Sequence, residues 1–181
     1  EQMGANVTRH GPRATKHHAK YIVADSGPLL VCSFNLTRRC FHDTCDFGVV
    51  TADPGAVTDA WRLFESDLAR RVLPASAARH SRLVLGPEWA GQAVRDLLTD
   101  ARRHIAIIDH KLDDVRVRRI LARKVRQGVR VDHIGSRVVA GRDAHGTLTI
   151  VDGRRALVGS LALSAASLGL RRELNLLVEE P

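Results

Sequence analysis

His18-Ala19-Lys20, followed by Asp25, Ser33, Asn35 and Asp46, forms a stretch that returns 127 residues downstream. There it reads His145-Gly146-Thr147, Asp152, Ser160, Ala162 and Glu173. The two stretches stay in register from the histidine to the last acid without a gap. The apolar positions between the polar ones agree as well: Ile22-Val23-Ala24 with Thr149-Ile150-Val151, Leu30-Val31 with Leu157-Val158, and Val49-Val50 with Leu176-Leu177. The second copy is eroded at two positions, with Thr147 in place of Lys20 and Ala162 in place of Asn35. Such a duplication predicts two copies of one structural unit that face each other, with chemistry where they meet.

Along a strand, residues i and i+2 point to the same side, so His18 presents with Lys20, and Ser33 with Asn35. A nucleophile or base, a cation and neutral donors then converge on one spot. That group suits an anionic, tetrahedral phosphorus centre: an imidazole attacks phosphorus, and Lys and Asn stabilise charge on the non-bridging oxygens. An acid such as Asp46 fixes the tautomer of the ring through its other nitrogen. No acidic cluster for a divalent metal accompanies the histidines, so neither metal nor cofactor is expected in the reaction.

These residues resemble the HxK(x)4D(x)6GSxN signature of the phospholipase D superfamily. The first copy reads HAK-YIVA-D-SGPLLV-CSFN and departs only at Cys32, where the family has Gly. The second reads HGT-LTIV-D-GRRALV-GSLA and keeps His145, Asp152, Gly159 and Ser160. The resemblance implies a single active site built by both motifs. One histidine becomes a phosphohistidine, and the other protonates the leaving group and then activates water or an alcohol. Carried over, His18 and His145 are the catalytic pair, the nucleophile being unassigned. Lys20, Asn35 and Ser33 bind phosphate oxygens, Thr147 and Ser160 being their counterparts, while Asp46 and Glu173 orient the rings. Asp25 and Asp152 are structural.

The implied function is phosphodiester hydrolysis or phosphatidyl transfer on a phospholipid or nucleic-acid substrate. FNLTRR (34–39) and GSLALS (159–164) are similar to bacterial phospholipase D and cardiolipin-synthase-like proteins. A metal-independent endonuclease of the same superfamily is the alternative, favoured by the charge. A catalytically impaired nucleic-acid- or membrane-binding relative is a third reading, favoured by Thr147 and Ala162.

Periodicity fills in the rest. Short apolar runs at 21–24, 29–34 and 45–51 read as strands, the first two joined by a tight turn at Ser26-Gly27-Pro28. Asp53-Pro54-Gly55 opens a helix with Val57, Trp61, Phe64, Leu68 and Val72 at intervals of three and four, stopped by Pro74 and followed by a linker at 75–80. Beyond it come a short strand at 83–85, a helix over 88–101, a strand at 105–108, a helix from Asp113-Asp114 to Gln127, a strand at 129–134, and then a second set of three strands at 149–151, 155–158 and 173–178. The expected fold is α/β: phospholipase D-like mixed sheets flanked by helices, in two pseudo-symmetric repeats with the first truncated. Residues 1–78 hold the C-terminal part of the first repeat and 79–181 the second. The first copy lacks a lead-in strand and helix before His18, so a preceding segment or another chain is expected to complete it.

Composition sets the outer bounds. An apolar share of 44% over 181 residues is that of a folded chain. The net charge of +8, carried by arginine with only four lysines, favours an anionic partner, nucleic acid or an acidic membrane surface. The aromatic share of 4% argues against a base-stacking platform. With no run near the roughly 18 apolar residues that a spanning helix needs, the expected location is cytoplasmic, with peripheral membrane association as a further expectation. Cys32, Cys40 and Cys45 read as reduced thiols, because their spacing with His42 matches no common zinc pattern. His110-Lys111, after the 105–108 strand, is a candidate lining of the cleft.

Overall fold

Alternating apolar side chains and a turn make the first hairpin, in which β1 (Tyr21–Val23) pairs antiparallel with β2 (Leu29–Cys32), Ile22 opposite Leu30. The computed structural model describes residues 4–9, 15–25, 27–71, 73, 82–135 and 137–179. After β2, the Thr37 hydroxyl accepts the Cys40 N–H and starts a one-turn helix, α1 (Arg38–His42).

The segment expected as a single strand over 45–51 is two strands, β3 (Thr44–Cys45) and β4 (Gly48–Thr51). The break has a clear cause. β4 continues the first sheet, with Val50 opposite Leu30, whereas the Cys45 carbonyl leaves that sheet to accept the N–H groups of His145 and Gly146. Asp46 sits between the two strands.

α2 (Pro54–Leu68) starts where expected, with Pro54 in its first turn and the Asp53 carboxylate accepting the Ala56 N–H at 2.8 Å. Its buried face differs from the predicted stripe. Ala56, Val57, Ala60 and Leu63 lie against the sheet, while Phe64 and Leu68 are 44% and 49% exposed. Small side chains let the helix axis approach the strands, and the bulky Trp61 and Phe64 hang over the β1 edge, ring against ring at 5.8 Å. The helix ends at Leu68; Val72 and the 75–80 linker lie outside the described residues.

The longer half continues with β5 (Leu83–Gly86), α3 (Ala90–Thr99), β6 (His104–Ile108), α4 (Val115–Arg126) and β7 (Arg130–Ile134). Asp114 caps α4 by accepting from Arg116 and Val117, as the paired acids predict. β8 (Val138–Val139), β9 (Arg142–Ala144), β10 (Thr147–Val151), β11 (Arg155–Gly159), α5 (Ala165–Gly169) and β12 (Glu173–Glu179) complete the described elements.

Three sheets result: β1-β2-β4, β5-β12-β11-β10-β6-β7, and the small β3-β9-β8. β10-β11-β12 matches β1-β2-β4 pair for pair. Thr149 faces Leu157 as Ile22 faces Leu30, and Leu157 faces Leu177 as Leu30 faces Val50. Even α5, capped by Ser164, falls where α1 does, 127 residues on. The sheets meet through β2 and β4 against β11, and β2 against β12. One core lies beneath α3 and α4 around Leu98, Ile105 and Val117. The other draws Leu29 and Val31 together with Leu63, Leu85 and Leu174, so it joins the two expected repeats. On its outer side β10 pairs with β6, while among the described residues β1 has a neighbour on one side only. No helix among the described residues is long and apolar enough to cross a membrane.

Candidate active site

The site forms where each copy hands its histidine to the other. At one crossing the Arg172 carbonyl accepts the N–H groups of His18 (2.8 Å) and Ala19 (2.9 Å). At the other, the Cys45 carbonyl accepts those of His145 (3.4 Å) and Gly146 (2.9 Å). The acid follows directly in both chains. Glu173 therefore reaches His18, Nδ1 to Oε2 at 2.9 Å, and Asp46 reaches His145, Nδ1 to Oδ1 at 2.9 Å. Both carboxylates are buried, Glu173 completely and Asp46 to within 5%.

Each acid is braced by the serine of its own copy. Ser33 donates its hydroxyl to Asp46 at 2.7 Å and accepts the Phe47 N–H. Ser160 donates to Glu173 at 2.6 Å and accepts the Leu174 N–H. Acid and ring nitrogen together fix the tautomer, so that each Nδ1 carries the proton facing its carboxylate and each Nε2 keeps its lone pair. Neither Nε2 has a hydrogen-bond partner among the described residues.

Lys20 follows His18 along the chain and bends back to donate from Nζ to the His18 carbonyl at 2.6 Å. Burial pulls its ammonium below the ordinary lysine value of 10.5, and the nearby Glu173, Cys32 and Asp46 pull the other way. The cation is thus partly dehydrated. Asn35 is exposed on the loop after β2, its side chain free of hydrogen bonds among the described residues. That loop is steadied by Phe34 against Phe41, ring centroids 5.5 Å apart.

The hydroxyls read from the sequence as phosphate ligands stand elsewhere. Ser33 and Ser160 spend their only protons on Asp46 and Glu173. Thr147 is buried and donates to the Leu161 carbonyl at 2.8 Å. A phosphate oxygen needs donors, and none of these three has one left. Ala162, 4% exposed, adds none.

Asp152 closes the turn after β10 at φ 57°, where its carboxylate collects the N–H groups of Arg102, Arg103 and His104. Burial pushes this carboxyl up, but the three backbone donors outweigh it and hold it below 3.8. Asp25 takes the same left-handed turn at φ 42°, its carbonyl accepting the Trp61 indole N–H.

Other neighbours of the site had weaker signatures in the sequence, apart from His110, which the expected cleft lining already included. Thr44, two residues before Asp46, donates to its second carboxylate oxygen; the i, i+2 spacing is the one clue. His110 sits near His145 at the end of β6, its imidazole lowered first by burial and then by Lys111, Arg137 and His145 itself. Cys40 brings its sulfur within 4.8 Å of ligand atoms on Asp46 and His145.

No protein-family model matches the sequence, and a search of curated proteins gives no match. Solved structures do. Over 93% of this chain, the polyphosphate kinase of Porphyromonas gingivalis superposes with a TM-score of 0.76 at 22% identity. The phosphatidylserine synthase of Haemophilus influenzae Rd KW20 does so over 91%, with a TM-score of 0.65 at 14% identity. The chain shares with both a mixed α/β fold of sheets flanked by helices. The chain spans 31% of the length of the first of these structures and 58% of the second.

Proposed function

We propose that the chain carries the active site of a phospholipase D-like phosphodiester hydrolase or phosphatidyltransferase working through a phosphohistidine. The observation that carries this reading is the reciprocal pairing of His18 with Glu173 and His145 with Asp46. Two imidazoles with acid-bound Nδ1 and open Nε2 are what a two-step displacement at phosphorus requires.

In the first step the Nε2 lone pair of one ring attacks phosphorus. The bond to the leaving oxygen breaks with its electron pair, and that oxygen takes the Nε2 proton of the other ring. In the second step this now neutral ring removes a proton from water or an acceptor alcohol, whose oxygen attacks phosphorus. The P–N bond breaks and the first ring is restored. Whichever ring is cationic is stabilised by its buried carboxylate. Lys20 and Asn35 are the phosphate ligands, supplied by the first copy alone, so the phosphate site is asymmetric. A missing donor in such a site costs roughly a hundredfold in rate.

Net charge of +8 favours a second reading, cleavage of nucleic acid by the same chemistry. The likeness to a polyphosphate kinase adds inorganic polyphosphate as a substrate to try. The test is turnover in EDTA of anionic phospholipid vesicles, single- and double-stranded DNA, RNA and polyphosphate, using the longest natural form of the protein. His18→Ala and His145→Ala run alongside. Turnover of one class, lost in both variants, is the expected result and names the substrate. Turnover that survives either substitution overturns the mechanism.

A further inference from the structure

Cys40, Asp46 and His145 come from α1, the β3–β4 junction and the end of β9, and their ligand atoms all lie within 4.8 Å of one another. We infer that these three residues form a binding site for a single soft divalent cation, zinc by its ligand chemistry, which shuts the active site when filled. A thiolate, an imidazole and a carboxylate are a zinc donor set, and three protein ligands leave the fourth position to water. Tetrahedral zinc with bonds of about 2.0–2.3 Å holds its ligand atoms roughly 3.3–3.8 Å apart. Asp46 and His145 already touch at 2.9 Å, so closure asks for side-chain shifts of about an ångström.

The cation would stand where a proton now does. Asp46 receives Ser33 and His145 on one carboxylate oxygen and Thr44 on the other, which leaves the second oxygen with a lone pair to give. His145 Nδ1 becomes a ligand by passing its proton to Nε2, and Cys40 by losing its own to solvent, so one proton leaves as the metal enters. The ring is then tied to the metal and Asp46 no longer holds it for proton transfer. None of the three is fully buried as a residue, and Cys40 is a free thiol, so the position is open to an ion from solvent.

The other crossing cannot do the same. The residue 127 positions after Cys40 is Ser167. The residue is 1% exposed, and its hydroxyl replaces the one soft ligand. One cation per chain follows, at the His145 side only. The sequence conceals this site, because His145 lies 99 residues from Asp46 and the spacing of Cys40, His42 and Cys45 fits no zinc motif.

Binding stands apart from the phosphodiesterase reading, whereas the inhibition rests on it, and the two parts fail separately. Cobalt(II) titrated into the reduced protein should give one equivalent of bound metal, with tetrahedral d–d bands and a sulfur-to-cobalt charge-transfer band, and zinc should displace it. In Cys40→Ser the charge-transfer band should vanish, while Cys45→Ser, which leaves Cys40 in place, keeps it. Circular dichroism checks that both variants fold. Absence of the band in the parent protein, or its survival in Cys40→Ser, overturns the site whatever the enzyme's substrate. If the site is real and turnover is observed, one equivalent of zinc should cut the rate at least tenfold and EDTA should restore it. Binding without that loss overturns the inhibition alone.

Discussion

Glu173 lies 155 residues from His18 along the chain and 2.9 Å from it in space. The acid is buried completely, its contacting oxygen shared with the Ser160 hydroxyl at 2.6 Å. An imidazole so held has one tautomer and one orientation, and the ordering lies in the folded chain before any substrate arrives.

Glu173→Gln keeps the volume but offers an amide that can turn its NH2 to the ring and reverse the tautomer. We expect kcat to fall by roughly a hundredfold or more, with KM little changed, because geometry survives while proton positions do not. Asp46→Asn should do the same to the His145 side. Steady-state kinetics on the substrate found in EDTA checks both; a KM effect without a kcat effect would count against orientation as their role.

Gly146 is pressed against the first copy. A Cβ there would meet the Ser33 hydroxyl oxygen at 2.6 Å, the Asp46 Cα at 2.8 Å and the Phe47 ring at 3.0 Å. Gly146→Ala is therefore expected to destabilise the fold by about 1–3 kcal/mol, read by urea denaturation. Full stability in this variant would mean that the crossing strands are looser than the structure has them.

Arg172 carries a buried charge between two acids. Its guanidinium meets Glu88 at 2.6 Å and Asp67 at 3.1 Å, and also donates to the Gly86 carbonyl. Arg172→Met leaves both carboxylates without their cation, for an expected loss of about 3–5 kcal/mol. A double change with Glu88→Gln should lose less than the sum of the single losses, since the pair is coupled. Denaturation curves for the three variants decide it.

An alkaline limit to activity is expected from Lys20. Burial lowers its ammonium from 10.5 despite the neighbouring Glu173, Cys32 and Asp46, so the proton leaves at a lower pH than from a free lysine. If the charged form binds phosphate, kcat/KM should fall on the alkaline side before 10.5. Lys20→Arg should remove that limb at the cost of a lower plateau, because guanidinium keeps its proton. An unchanged limb in Lys20→Arg would assign it to another group.

The hairpins and their pairing were legible because one register, repeated at a fixed offset, fixes which residues face which. α2 was legible in its start and not in its buried face. Periodicity marks a stripe, yet the small Ala56 and Ala60, nearly silent in such a pattern, decided which side touches the sheet. α1 is a single turn without an apolar stripe, held by the Thr37 cap, and left no periodic trace. The site residues stood out by type and spacing. Their partners did not: aligned copies put Asp46 in register with Glu173, but nothing in that register says that each acid serves the histidine of the other copy. That the serines face the acids was hidden for the same reason, since the contact depends on where each acid is placed.

The exchange of acids across the two copies bears on where the second copy has decayed. Thr147 and Ala162 sit at positions whose side chains act only within their own half, one bonded to Leu161, the other packed in the interior. His145, Ser160 and Glu173 all serve the crossings: the first takes the acid of the leading half, and the other two hold His18 in place. The two positions at which the second copy departs from the first, Thr147 and Ala162, thus lie outside both crossings.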